Sequence, residues 1–248
     1  IAITTNGSLL DDEKARRLRA SGVDRITISL DAVDGGSIAR MAGLRRGAGA
    51  GFDLLNKVLA GIDAARTAGY DPALGALKLN AVIQRGKNDD QLIPLARLAR
   101  QKGLELRLIE YMDVGRTNGW QLGQVVPSEN VLNHLQKEFD LVPVEPTNNS
   151  DVAVRWAHSD GSGEIGFISS VTSPFCGDCV RARLSADGRL VTCLFASGGH
   201  DIRALIHNGA DEEILQKAIA AIWTRRKDRY SEIRSEDTAA LPRIEMSY

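Results

Sequence analysis

The chain holds three cysteines, and they stand together: Cys176 and Cys179 within Pro174-Phe175-Cys176-Gly177-Asp178-Cys179, then Cys193 in Val191-Thr192-Cys193-Leu194-Phe195. The spacing is Cys-x2-Cys-x13-Cys, with no fourth cysteine. A closed structural zinc site takes four ligands, whereas a metal centre that handles a substrate often keeps one position open. Three chemistries fit this donor set. One is an iron–sulfur cluster with an open iron. Another is zinc completed by His200, seven residues past Cys193. The third is a redox dithiol, which Cys-x2-Cys alone also fits. Between the second and third cysteines lies Ala186-Asp187-Gly188-Arg189, an Asp-Gly turn flanked by β-prone residues. A hairpin there folds Cys193 back toward Cys179.

The elements that must position these thiols begin far upstream. Residues 1–5 read as a strand closed by Asn6-Gly7, followed by a helix over 11–20 with Asp11 and Asp12 at its positive end. Residues 24–30 form a second strand. The Gly-rich, basic stretch 34–51 reads as a long loop with one helical turn at most. Leu55, Val58, Leu59, Ile62 and Ala65 then mark one face of a helix that ends at Ala68-Gly69. A third strand over 76–84, a helix over 89–102 with Pro94 in its first turn, and a fourth strand over 104–111 complete the pattern. Strand–helix alternation at this spacing predicts parallel strands, in an open sheet or part of a barrel, with function at their carboxyl ends. At those ends the sequence gathers Thr5-Asn6-Gly7, Ser29-Leu30-Asp31, Lys78 with Asn80, and Glu110-Tyr111-Met112. Singly each has a plain reading as turn, cap or gap filler; together they predict one pocket.

From about Arg116 the rhythm breaks, with Pro127, Pro143, Pro146 and the cluster Asn148-Asn149-Ser150. A helix over 129–139, strands over 152–158 and 164–169, the cysteine loop, the hairpin and a helix bearing Ile214, Leu215, Ala218, Ile219 and Ile222 read as an α+β extension from residue 117. The bulk numbers bound the rest. With 248 residues, 43% hydrophobic and 25% charged, the chain can bury a sizeable core. A net charge of −1 argues against a nucleic-acid-coating surface. No apolar run approaches the ~20 residues that cross a bilayer, and no signal peptide is visible. Unpaired cysteines suit a reducing, cytoplasmic location.

Several motifs then carry a family likeness. Thr4-Thr5-Asn6-Gly7, Ser29-Leu30-Asp31-Ala32, Lys78-Leu79-Asn80, Glu110-Tyr111-Met112-Asp113-Val114-Gly115 and, most specific, SPFCGDCVRARLSADGRLVTCLF from Ser173 to Phe195 resemble the GTP 3′,8-cyclases. These are radical S-adenosylmethionine (SAM) enzymes that begin molybdenum cofactor biosynthesis. The likeness runs through essentially the whole chain. It implies a partial (βα) TIM-like radical SAM barrel over residues 1–116, incomplete at its N-terminus. It also implies an α+β C-terminal region, 117–248, that carries an Fe–S cluster and binds GTP.

The resemblance further implies that Cys176, Cys179 and Cys193 ligate a 4Fe-4S cluster whose fourth iron meets the guanine of GTP. It makes Thr5, Lys78, Arg181 and Arg183 GTP contacts, and Ser29 and Met112 SAM contacts. Lys78 sits between Leu77 and Leu79 and needs solvent or an anion, which a triphosphate provides. Arg181 and Arg183 alternate, so a strand there sends both guanidiniums to one face, suited to bidentate bonds with phosphate. On the residues alone, an exposed hairpin face is the plainer reading of that pair. The implied reaction is cyclisation of GTP to 3′,8-cyclo-7,8-dihydro-GTP. A second 4Fe-4S cluster and SAM belong to the full-length parent. The implied partners are an electron donor and, by product transfer, the downstream cyclic pyranopterin monophosphate synthase, with a homodimer allowed. Two other functions fit the sequence: a radical SAM enzyme with an auxiliary cluster that modifies peptides, and a non-catalytic, metal-stabilised βα module.

Three departures from the family pattern shape the expectations. The family's N-terminal Cys-x3-Cys-x2-Cys is not in this sequence, which opens on Ile1-Ala2-Ile3 as though inside a strand. The family's Gly-Gly tail is replaced by Met246-Ser247-Tyr248, and the stretch 34–51 is longer than the likeness suggests. The chain by itself is therefore expected to be a piece of a longer enzyme and inactive alone.

Overall fold

The computed structural model describes residues 1–114, 119–146, 151–177 and 179–234. The expected boundary at 116/117, the Asn148-Asn149-Ser150 cluster, Asp178 and the terminal Met246-Ser247-Tyr248 lie outside the described residues. The chain divides into two compact units, Ile1–Tyr111 with Gly123–Thr172, and Met112–Leu122 with Ser173–Tyr248.

In the first unit, β1 (Ala2–Thr5), β2 (Arg25–Ser29), β3 (Leu77–Ile83) and β4 (Glu105–Glu110) pair in parallel in that order. Four helices alternate with them: α1 (Asp12–Ala20), α2 (Gly35–Met41), α3 (Gly47–Thr67) and α4 (Leu92–Gln101). α1 starts where it does because the Asp11 carboxylate accepts the Lys14 amide at 2.8 Å, with Asp12 and Glu13 in the first turn. It stops at Ser21, ahead of Gly22 with a φ of 85°.

Residues 34–51 are not a loop, contrary to the expectation from their composition. Asp34 caps α2, accepting the Ser37 amide at 2.9 Å, and α3 is already helical from Gly47. Two of the glycines serve helix packing instead. A Cβ on Gly51 would stand 1.8 Å from the Gly35 carbonyl oxygen, and one on Gly35 would stand 2.3 Å from that of Ala48. Two backbones touch here, which only glycine allows.

The strands assigned to an α+β extension in fact complete this first sheet. β5 (Leu141–Val144), β6 (Val154–His158) and β7 (Glu164–Ile168) follow α5 (Ser128–Leu135). β7 pairs in parallel with β4, while β6 and β5 add antiparallel, giving the order β1-β2-β3-β4-β7-β6-β5. The reason is hydrophobic continuity: Leu106 registers with Ile165 and Leu108 with Phe167, and all four are buried. The compact units divide at Tyr111/Met112, Leu122/Gly123 and Thr172/Ser173. Pro143 sits in the edge strand β5, opposite Trp156.

One face of the sheet makes the core. Ile26, Ile28, Leu77, Leu79, Leu106 and Leu108 pack with Leu55, Val58 and Ile62 of α3 and with Leu95, Ala96 and Ala99 of α4. The alternate positions of β3 and β4 (Lys78, Asn80, Glu105 and Arg107) form a polar opposite face.

The second unit is built from short pieces: β8 (Arg183–Leu184), β9 (Arg189–Val191), β10 (His200–Asp201), α6 (Ile202–His207) and α7 (Glu212–Thr224). The three strands pair antiparallel in the order β10-β9-β8. Asp211 caps α7 by accepting the Ile214 amide at 2.9 Å, yet no residue of that helix is buried, and Ile214 is half exposed. Among the described residues no helix is long and apolar enough to cross a membrane.

Candidate functional site

The Asp-Gly turn forms the expected hairpin. Arg183 registers with Val191 and Leu184 with Leu190. The Ser185 amide donates to the Arg189 carbonyl at 3.0 Å, and the Gly188 amide to the Ser185 carbonyl at 2.9 Å. Gly188 has a φ of 81° and receives the Ile202 and Arg203 amides on its carbonyl, so the turn also anchors α6. Cys193 leaves β9 two residues after its last paired position. Cys176 and Cys179 lie on a turn in which the Cys179 amide donates to the Cys176 carbonyl at 3.3 Å.

All three thiols are free and half-buried. Burial raises the Cys179 thiol, but the amide and guanidinium of Arg181 and the guanidinium of Arg226 outweigh it and hold the thiol below its ordinary value. Arg181 Nε lies 3.4 Å from Cys179 Sγ. Burial pushes the Cys193 thiol up, with the charges of Asp228 and Cys176 adding to the rise. The cationic donors thus favour a thiolate at Cys179, while burial disfavours one at Cys193. Among the described residues, no three Cys, His, Asp or Glu side chains gather closely enough for a single metal ion. His200, the candidate fourth zinc ligand, is exposed on β10. Three Cys side chains are the donor type that iron–sulfur clusters take.

Two supports of this loop went unseen in the sequence. Arg226 donates a hydrogen bond to the Cys179 carbonyl and pairs with Asp228 at 3.4 Å; Asp228 accepts Thr192 Oγ1 at 2.6 Å. Both residues belong to the run Arg225-Arg226-Lys227-Asp228-Arg229, which reads as a solvated face. Nothing local distinguishes it from one.

The expected pairing of Arg181 and Arg183 on one strand face is not what forms. Strand β8 begins only at Arg183, and Arg181 precedes it, exposed, with its guanidinium 4.7 Å from the centre of the Phe175 ring. Arg183 is half-buried. Met112 is also half-buried and stands beside Asp113, a carboxylate only 2% exposed. Asp113 accepts from Tyr230 Oη and, at 2.8 Å, from Arg234 Nε. Arg234 in turn lies 4.8 Å over Phe195, which stacks on Tyr230 at 4.7 Å.

In the first unit the strand register sorts the remaining candidates. Thr27 registers with Lys78 and Ser29 with Asn80, so Ser29, Lys78 and Asn80 share the polar face. Thr5 registers with Ile28, which registers with Leu79, and so belongs to the opposite face. Its Oγ1 accepts the Gly7 amide at 3.2 Å. Lys78 is not at a carboxyl end, as the sequence suggested, but is the second residue of β3. Its ammonium already has an anion in Glu105, to which Arg107 Nε also donates at 2.7 Å. Burial opposes ionisation of Glu105, but the bonds and charges of Lys78 and Arg107 prevail and hold its carboxyl below the ordinary value. Among the described residues the buried Asn80 Oδ1 has no hydrogen-bond partner.

The carboxyl ends of β2 and β3 are tied by a buried polar network. Asn88 Nδ2 donates to the Asp31 carbonyl at 2.7 Å and to that of Val82 at 2.8 Å, while Asp31 Oδ1 accepts the Val82 amide at 2.8 Å. Burial raises the Asp31 carboxyl against that single bond. This fixes the loop that follows Ser29.

Comparison with known proteins agrees with this layout. Residues 1–99 match the Radical SAM superfamily, and residues 104–232 match Molybdenum Cofactor Synthesis C. The class is thus a radical SAM protein with the C-terminal region of molybdenum cofactor synthesis. The GTP 3′,8-cyclase of Synechococcus sp. (strain CC9902) is 56% identical over 235 residues, covering 95% of this chain and 68% of that protein. That of Synechococcus sp. (strain WH7803) is 53% identical over 248 residues, covering 100% of this chain and 70% of that protein. The GTP 3′,8-cyclase of Xanthomonas campestris pv. campestris (strain B100) is 44% identical over 246 residues, 99% of this chain and 68% of that protein. This chain belongs to the GTP 3′,8-cyclase family.

Proposed function

We propose that the chain serves the radical SAM-dependent cyclisation of GTP to 3′,8-cyclo-7,8-dihydro-GTP, the first step of molybdenum cofactor biosynthesis. The observation that carries this reading is the β8–β9 hairpin in a chain of this family. It turns Cys193 back toward Cys176 and Cys179 and surrounds the loop with Arg181, Arg183 and Arg226. On this reading Cys176, Cys179 and Cys193 hold a 4Fe-4S cluster, and a second cluster and SAM complete the enzyme. The chemistry those groups supply when bound is a carbon-centred radical, and it belongs to them.

The protein's own work is placement. Arg181 and Arg183 neutralise a triphosphate and fix its orientation, for which guanidinium groups suit better than ammonium groups. Ser29 and Met112 are assigned to SAM and Lys78 to GTP; Thr5, on the opposite face, is assigned to GTP as the last residue of β1, from the carboxyl end of the sheet. Lys78 must exchange its bond to Glu105 for one to phosphate. A parallel sheet with one polar face is unusual unless that face is covered or lines a cavity. We take the Lys78 face as the inside of a radical SAM barrel, residues 1–116 as its share of this chain, and 117–248 as the cluster and GTP region. The electron donor, product transfer to the cyclic pyranopterin monophosphate synthase and a homodimer belong to the same reading.

The test is equilibrium binding of GTP, ATP and a short peptide to anaerobically reconstituted chain. GTP should bind in preference to ATP. Arg183→Ala and Arg181→Ala should each weaken GTP binding about ten- to a hundredfold, the loss of one charge-assisted contact of ~1.5–3 kcal/mol, with the cluster's visible spectrum unchanged. Equal binding of GTP and ATP, or unaltered affinity in both variants, would overturn the reading.

A further inference from the structure

Glu110, the last residue of β4, is 2% exposed and lies by alternation on the same side of its strand as Leu106 and Leu108. A carboxylate among leucines is costly unless every lone pair is used. Here it meets five donors. Oε1 accepts from Ser128 N at 2.8 Å, Ser128 Oγ at 2.9 Å and Thr172 Oγ1 at 2.5 Å. Oε2 accepts the Val171 and Thr172 amides at 2.9 Å each. Three of the five are backbone N–H groups, which can only donate, so the carboxyl group they surround serves as an acceptor on both oxygens.

The bonds reach two segments. α5 begins after Pro127 with no side-chain cap, and Glu110 brings a negative charge to its first amide. Val171 and Thr172 directly precede Ser173-Pro174-Phe175-Cys176. Two successive amides clamped on one oxygen fix both position and direction of the chain four residues before the first thiol.

We propose that Glu110 is a positioning residue for the cysteine loop: its carboxylate sets the path on which Ser173 to Cys176 leave the sheet, and thereby the placing of the first thiolate. Its consequence for the cluster rests on the reading of Cys176, Cys179 and Cys193 as cluster ligands. Glu110 itself touches neither thiol nor substrate. Glu110→Gln is nearly isosteric, but whichever way the amide turns, its NH2 faces N–H donors.

The experiment uses the full chain, metal-free and after anaerobic reconstitution with iron and sulfide. Hydrogen exchange is read over residues 168–177 and over β2 and β3, and iron release to a chelator is followed by loss of visible absorption. In Glu110→Gln, exchange should accelerate at 171–176 while β2 and β3 stay protected, and iron should leave about tenfold faster, the loss of one charge-assisted contact. Glu110→Asp keeps the charge and should recover part of both signals. If Glu110→Gln does not fold, Thr172→Val, which removes one donor and leaves the strand intact, should shift the same readouts to a smaller degree. Parental exchange and iron release in the variants would overturn the proposal. So would an equal loss of protection across the whole sheet, which marks a residue of general core stability. If the parent chain takes up no iron, the cluster reading fails separately. Accelerated exchange confined to 171–176 then supports the positioning role, and unchanged exchange there overturns it.

Discussion

Glu105 holds two cations at once, and on the proposed reading of Lys78 as a GTP contact it is the side chain with which a triphosphate competes. Its side chain is 11% exposed, so the Lys78 pair is shielded from solvent in a way surface pairs are not. Glu105→Gln should therefore release Lys78 and raise GTP affinity roughly three- to thirtyfold, about 1–2 kcal/mol, in isothermal titration. Lower affinity would mean that Glu105 shapes the site rather than blocks it. The same residue gives a pH signature. A carboxyl held below its ordinary value of 4.5 contributes stability that is present above that value and lost as pH falls through the lower, folded one. The parent's melting temperature should thus fall more steeply than that of Glu105→Gln as pH drops below about 4.5. That Lys78 needs solvent or an anion was legible from its leucine neighbours. That Glu105 supplies it was not, because the β3–β4 register lies in no single segment.

The pair of helices α2 and α3 shows how composition misleads at the next scale. Gly-rich sequence ordinarily marks a turn, and here Gly35 and Gly51 mark a backbone-to-backbone contact. Gly51→Ala inverts the usual expectation. In an open helix the change stabilises by up to about 1 kcal/mol, whereas here it should cost roughly 3 kcal/mol or more, since no side-chain movement relieves a 1.8 Å approach to a carbonyl oxygen. Gly49→Ala, which meets nothing within 4 Å, is the control and should be neutral or stabilising in urea titration. The β8–β9 hairpin was readable because Asp187-Gly188 encodes its turn within four residues. Arg181 was misplaced because strand ends depend on tertiary pairing that propensity does not carry.

The two units differ in what holds them. The continuous apolar core of Ile26, Leu79, Leu106 and their neighbours belongs to the first. The second buries Leu190, Val191, Phe195 and Ile202, and α7 adds no buried residue. On the proposed reading of its thiols as cluster ligands, a unit with so few buried apolar side chains among the described residues draws stability from the cluster. Removing iron from reconstituted chain with a chelator should lower the thermal transition of residues 173–234 by several degrees, roughly 1–3 kcal/mol, and leave the sheet's transition in place. Calorimetry with hydrogen exchange reads both, and a single transition that ignores the chelator would sink the idea. At this scale the alternation of strands and helices was plain in the sequence. The joining of β5, β6 and β7 to the same sheet was hidden by the prolines and polar residues that precede them.

Pro143 gives that sheet a polarity of growth. An imino nitrogen in the outermost strand has no proton to offer a newcomer, so β5 makes a poor template for another strand. β1, at the other end, carries no proline, and its Ala2 and Thr4 are exposed. Of the sheet's two end strands, β1 is therefore the one whose backbone donors no proline interrupts.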